Sequence, residues 1–163
     1  MTLIVEDGSG VSGANSYNTV QQIKDYASAR GESLPSTDAE IEALAIQATD
    51  YMEQFRLQYQ GDIVDPLQAL AFPRAGVVID GYEYPSTTLP VYLVRAHAQA
   101  TIEAYTSELI PNPSQSVKKE KVDVLEVEYQ ESSTSSVGFP KVENLLRPLF
   151  SSRNPFSIDV VRS

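Results

Sequence analysis

Cysteine and tryptophan are absent from this 163-residue chain, and histidine occurs once, as His97. Without a thiol there is no disulfide, no thiolate metal site and no cysteine nucleophile. A single histidine excludes a multi-histidine metal centre within one chain. It also leaves a Ser–His couple without support, since no serine stands in a G-x-S-x-G elbow. No apolar run approaches the ~18 residues that span a bilayer. No basic stretch precedes an apolar segment at the start, so no signal peptide is expected, and the chain reads as a soluble protein made in a cytoplasm. Positive charge is scarce too: 12 Lys and Arg face 22 Asp and Glu, a net charge of -10. Tight wrapping of DNA rests on cations that neutralise phosphates, so this balance argues against it. The few cations are uneven. Lys118, Lys119, Lys121, Lys141, Arg147, Arg153 and Arg162 all lie in the last 50 residues, which suggests a body and an arm with different partners.

What is present is mainly helical. The reading is a small helical bundle with a short β-strand or hairpin element and an extended C-terminal arm. It divides into residues 1–112, with a long loop at 60–88, and residues 113–163, holding a strand, a short helix and the arm. A first helix is expected from about Ser16 to Arg30, with Val20, Ile23 and Ala27 on its apolar face and Gly31 as its stop. The second is the clearest. Thr37 and Glu40 form a capping box, Ile41, Leu44, Ala45, Ala48, Met52 and Phe55 make one stripe, and the helix is expected to end near Gln58. Residues 60–88 are dense in turn signals, and a segment of this kind inside a compact domain is usually functional. Within it, Val77–Ile79 and Tyr82–Tyr84 flank Asp80-Gly81 as a hairpin would.

A third helix is expected from near Thr88, with Pro90 in its first turn. Val91, Val94, Ala98, Ile102, Tyr105 and Leu109 line one face, and its alanines keep it narrow. The stripes of the second and third helices should meet in the core. Residues 117–129 read as a strand whose alternation shifts phase: Val122 and Val124 share one face, and Leu125, Val127 and Tyr129 the other. A short helix near Lys141–Leu146 follows, stopped by Pro148. In the final segment Phe156, Ile158 and Val160 alternate between Arg153 and Arg162, as an extended arm needs if it is to bury one face on a partner.

Chemistry finds little purchase. Gly8-Ser9-Gly10-Val11-Ser12-Gly13 fits the dinucleotide pattern G-x-G-x-x-G, but Glu6 and Asp7 would place negative charge beside a pyrophosphate and no βαβ unit follows. The plainer reading is a flexible loop anchoring the N-terminus. His97 reads as a packed or half-exposed structural residue. Asp62, Asp65 and Asp80 lack EF-hand spacing. The nine tyrosines, beside Lys118–Lys121, allow a single-stranded nucleic-acid reading through stacking, although Glu120 and Asp123 interleave the cations. No enzyme, metal or cofactor is expected.

The chain resembles the head–tail connector (adaptor) proteins of tailed bacteriophages, relatives of which are often labelled DnaT-like single-stranded-DNA-binding proteins. The likeness rests on Leu3-Ile4-Val5-Glu6-Asp7-Gly8-Ser9-Gly10-Val11 with Gly13-Ala14-Asn15-Ser16-Tyr17, on Ala48-Thr49-Asp50-Tyr51, and on Gln68-Ala69-Leu70-Ala71-Phe72-Pro73-Arg74-Ala75-Gly76-Val77. Leu89-Pro90, Glu120-Lys121-Val122 with Val127-Glu128-Tyr129, and Phe139-Pro140 complete it, over residues 3 to about 150. Phe72 stands where relatives often carry Trp, and Asp123 where a Gly is common.

The resemblance implies a structural subunit in the virion neck, assembled in the host cytoplasm. It would form a homo-oligomeric ring, commonly of twelve copies, beneath the portal protein. DNA would pass through it without sequence-specific binding, a downstream tail protein would dock on the other side, and no membrane would be involved. Arg147, Arg153, Phe156, Ile158, Val160 and Arg162 would then form the portal-binding arm. Phe72, Arg74, Val122, Val124, Leu125, Val127 and Tyr129 would meet the neighbouring subunit. The alternative is a DnaT-like module for single-stranded DNA.

Overall fold

A computed structural model describes residues 2–111 and 138–151. The strand expected at 117–129, with Val122, Val124, Leu125, Val127 and Tyr129, and the arm residues Arg153, Phe156, Ile158, Val160 and Arg162 lie outside the described residues.

The fold is mainly α, with short hairpins. In chain order it comprises α1 (Val20–Ser28), α2 (Asp38–Glu53), β1 (Asp62–Ile63), β2 (Arg74–Ala75), β3 (Val78–Ile79), β4 (Tyr82–Glu83), α3 (Val91–Thr106) and α4 (Pro140–Leu146), the last followed by a 3₁₀ turn at Arg147–Leu149. β1 pairs antiparallel with β2, and β3 with β4.

α1 is shorter than the apolar spacing predicts. Thr19 caps it in a full capping box with Gln22, so Ser16–Asn18 stay outside the helix. They are nonetheless buried. At α2 the Thr37 hydroxyl accepts from the Glu40 N–H, but it also donates to the Glu40 carboxylate. The reciprocal half of the expected box is therefore not made. α2 stops at Glu53, and tight turns carry the chain on to Tyr59, whose hydroxyl donates back to the Met52 carbonyl at 3.0 Å. On α2, Ile41, Ala45, Ala48 and Met52 are buried as the stripe requires, whereas Leu44, and Phe55 beyond the helix end, are half-buried.

α3 is the centre of the molecule and packs on α1, α2 and α4. Every residue from Ala96 to Ile102 is buried, so this stretch has no solvent face. A one-sided stripe was the wrong picture for it. Ala98 and Ile102 are buried as expected, but Val91 is 42% exposed and Tyr105 48% exposed. Ala96, Ala98 and Ala100 let the surrounding helices approach closely. α4 forms where the short helix was expected, with Val142 and Leu146 buried. Phe139, Val142, Leu146 and Leu149 share one hydrophobic cluster with Ala48, Met52, Phe72 and Leu93. The described residues on both sides of 112 thus build a single core. Aromatic rings run through it: Tyr51 meets Phe139 and Phe55, Phe55 meets Phe150, Phe150 stacks on Tyr59, and Tyr59 meets Phe72 edge-on.

His97 is fully buried on α3, a packed residue as expected. In the amide orientation that satisfies every group, the Asn18 nitrogen donates to His97 Nδ1 at 3.0 Å and to the carbonyls of Val94 and Tyr17. The ring proton then sits on Nε2, 3.0 Å from the Ala45 carbonyl and 3.0 Å from the Thr49 hydroxyl. Thr49 itself donates to the Ala45 carbonyl. The imidazole is thus a neutral bridge between the start of α1, α2 and α3. Burial lowers its pKa from 6.5 to about 4, because a charge there would be stripped of water.

Candidate interaction surface

Two of the stretches that carry the family likeness, far apart in sequence, meet at Glu53, two residues past a third. The Tyr17 hydroxyl donates to Glu53 Oε1 at 2.9 Å, and the Ala71 N–H donates to the same oxygen at 2.9 Å. The Phe72 N–H reaches the Tyr17 hydroxyl at 3.3 Å, and Arg56 pairs with Glu53 Oε2 at 3.0 Å. Burial, and then the Glu53 charge, push the Tyr17 phenol well above its usual range. It remains protonated and keeps donating.

The glycine loop is ordered by an internal anion. Glu6 is 1% exposed. Its Oε1 accepts from the Gly8 and Gly10 N–H groups, both at 2.9 Å, and its Oε2 from Val11 N–H at 2.8 Å. Successive N–H groups of this kind form an anion nest. Here the protein fills it with its own carboxylate, so the place a phosphate would take is occupied. The flexible-loop expectation is corrected accordingly: a buried carboxylate organises 6–11. Gly8 also packs against the loop before α3. At φ +105° a Cβ there would lie 2.4 Å from the Thr87 carbonyl oxygen.

An insert, residues 54–88, connects α2 to α3 and adds Tyr59, Leu70, Phe72, Val77 and Ile79 to the core. Gln60 ties its two hairpins together. Its amide nitrogen donates to the carbonyls of Val78 and Pro148, at 2.9 and 2.8 Å, and its oxygen accepts from Val78 N–H at 3.1 Å. Gly61 lets β1 lie against β2, since a Cβ there would sit 2.2 Å from the Ala75 carbonyl oxygen. The second hairpin turns at Asp80-Gly81, both at positive φ, as that dipeptide predicts. The Gln68 side chain accepts from Val64 and Asp65 N–H and donates to the carbonyls of Leu70 and Pro73. On the far side, residues 58–60 pair with 149–151: Gln60 N–H donates to Leu149 at 2.9 Å, and Ser151 N–H to Gln58 at 2.7 Å.

The neighbour contacts expected of Phe72 and Arg74 are not available as surface. Phe72 is 0% exposed and packed against Tyr59. Its aromatic ring follows Leu70-Ala71 into the core. Arg74 is half-buried and points inward, donating to the carbonyls of Gln60 and Gly61 at 2.9 and 2.7 Å, with longer contacts to Tyr59 and Ala71. It is a staple of the insert. Arg147, expected on the arm, is exposed just after α4.

Beside Asp62, Asp65, Asp80 and Glu83, the insert presents several large apolar residues to solvent. Leu57 is 97% exposed, Leu67 90% and Tyr82 79%, with Val64 and Val78 about half so. These residues escaped the sequence reading because the turn-rich segment has no periodicity from which to assign a face. Glu6 and Gln60 escaped it too. For Glu6 there was one usable signal, an acid directly before a glycine-rich loop.

Among the described residues, no group of three or more His, Asp or Glu is placed to hold a metal ion. No described helix is long and apolar enough to cross a membrane. The cations are mostly engaged inside the chain. Lys24 pairs with Asp38, Arg56 with Glu53, and Lys141 with Glu32 and Glu103. Arg30 lies over the Tyr26 ring and Arg74 on carbonyls.

A family model described as "Putative DnaT-like ssDNA binding protein" matches residues 1–163. The chain belongs to this family. The DnaT-like half of the resemblance is thereby met over the full length, while the match carries no connector description. Searches of the curated proteins and of the solved structures returned no match. For a member of a DnaT-like family the described body is short of free cations, and three of its tyrosines, Tyr17, Tyr51 and Tyr59, are buried in the core.

Proposed function

We propose that this chain is a non-catalytic assembly subunit: a head–tail connector that associates with copies of itself into a ring beneath a phage portal, around the DNA exit channel. The observation that carries the proposal is the insert. It displays Leu57, Leu67 and Tyr82 almost wholly to water, while Gln60, Arg74 and Gln68 hold its backbone in place. Large apolar residues kept outward on a braced segment suit a protein contact. A ring needs contacts of this heterologous kind, one face against a different face of the next copy. The acidic balance suits a wall past which DNA slides. In this reading Arg147 stands at the base of the portal-facing arm made by Arg153, Phe156, Ile158, Val160 and Arg162, and 117–129 adds to the contact between neighbours. The place of action is the virion neck, reached after assembly in the host cytoplasm.

A second reading is a binding module for single-stranded DNA. The family match favours it, and does so more directly than any comparison favours the connector. Its binding residues would be Lys118, Lys119 and Lys121 with nearby aromatics, outside the described residues.

One pair of measurements separates the two. Electron microscopy of the purified protein with a portal should show rings coaxial with the portal. Titration of a fluorescent oligonucleotide at low salt should show no micromolar binding. Micromolar binding that weakens steeply with salt, by a protein that forms no ring, replaces the first reading by the second.

A further inference from the structure

A cleft of about 240 Å³ opens where α2, the end of the α3 segment and α4 meet. Tyr51, Phe55, Leu109 and Ile110 give it apolar walls, and Gln54 and Glu143 give it a polar side. Ile110 is 47% exposed at its lip. Among the described residues, Glu143 has no cation within ion-pairing distance. Its side-chain partner is the Tyr51 hydroxyl, at 3.4 Å. Arg147, one turn further along, makes no ion pair with it, and Lys141 is turned away to Glu32 and Glu103. The cleft therefore combines an apolar surface with an uncompensated negative charge, which suits an apolar side chain beside a cation.

The same chain carries that combination at the other end of α3. Arg95 is exposed and has no hydrogen-bond or ion-pair partner among the described residues. Val91, one turn before it and on the same face, is 42% exposed, well out of the core the stripe predicts for it. Their neighbours on that face, Tyr92, Ala98 and Gln99, bring no carboxylate to neutralise Arg95. The two complementary features lie roughly 20 Å apart along the helix axis, at 1.5 Å per residue. One molecule cannot join them, and two molecules arranged head to tail can.

We propose that the Val91–Arg95 face of α3 in one copy docks on the cleft of the next copy, with Arg95 paired to Glu143 and Val91 set against the walls formed by Phe55 and Ile110. The proposal rests on the assembly reading and adds to the insert a second, charge-paired contact between copies. A heterologous pairing of this type propagates around a ring, and an arginine paired in a partly desolvated cleft gives it register as well as affinity.

Sedimentation velocity of the full chain over a concentration series tests it. The unaltered protein should associate, and salt should weaken the association. Arg95→Glu or Glu143→Arg should each weaken association by at least about tenfold while circular dichroism stays unchanged, and the double reversal should restore most of it. Glu143→Gln keeps an acceptor for Tyr51 while removing the charge, and covers the case in which Glu143→Arg disturbs the fold. Unaltered association in Arg95→Glu and Glu143→Gln overturns the contact and leaves the assembly reading standing. So does a double reversal that recovers nothing. A protein that stays monomeric at every concentration overturns both.

Discussion

Acid should destabilise this protein through one residue. His97 is fully buried, neutral, and held between Asn18, Ala45 and Thr49. Its pKa falls from 6.5 to about 4 on folding. A base whose folded pKa is depressed stabilises the fold fully above the unfolded value. That stability is lost as pH falls through the window between the two values, because the unfolded chain takes up the proton first. The loss therefore begins below pH 6.5 and is complete below about pH 4. At 1.36 kcal/mol per unit, the full effect is about 3 kcal/mol, of which about 2 kcal/mol is gone by pH 5. Among the described residues no charged group lies against the ring to soften this. Its neighbours are the Asn18 amide, the Thr49 hydroxyl, the Ala45 carbonyl and the edge-on Tyr17 ring. Urea unfolding at pH 7 and pH 5, read by circular dichroism, measures the difference. His97→Gln, which keeps a hydrogen-bonding side chain but cannot titrate, should start less stable and flatten the dependence between those values. The reasoning fails if the unaltered protein changes by less than ~0.5 kcal/mol between pH 7 and 5. It also fails if His97→Gln retains the full slope.

Two further substitutions probe the packing. Glu6→Ala leaves the N–H groups of Gly8, Gly10 and Val11 without their acceptor, and should cost about 3 kcal/mol in urea unfolding, with raised amide exchange at those three positions. On α2, Met52→Ala should cost about 2–5 kcal/mol, whereas Leu44→Ala, half-buried instead of in the core, should fall below about 2 kcal/mol. Equal losses at the two positions would contradict the orientation of the helix.

The helices were legible because burial imposes a period. Ile23 and Ala27 on α1, and Ile41, Ala45, Ala48 and Met52 on α2, sit where their spacing places them, and α4 follows from Pro140 and its apolar residues. The Asp80-Gly81 hairpin was legible because that pair accepts positive φ cheaply. α3 was harder. Its middle, Ala96–Ile102, is buried on all sides and has no solvent face to orient it, and its alanines are compatible with any face. The interaction surface was harder still. Arg74 looks in sequence like a free cation and serves instead as a donor to backbone carbonyls. Leu57 and Leu67 look like core residues and stand in water. Periodicity reports which side of a regular element faces inward, and it has nothing to report in a segment of turns.

The pairing of 149–151 with 58–60 has a mechanical consequence. Residues 149–151 lie alongside the root of the insert, joined by Ser151 N–H to Gln58 and Gln60 N–H to Leu149. Antiparallel hydrogen bonds run across the strand direction, so a pull along 149–151 loads both bonds at once in shear. The nearest structure behind them is Tyr59, stacked on Phe150, and Gln60, bonded to Val78 and Pro148. A pull applied at Ser151 is thus shared between two paths, the covalent one through Arg147–Leu149 into α4 and the hydrogen-bonded one into the root of the insert.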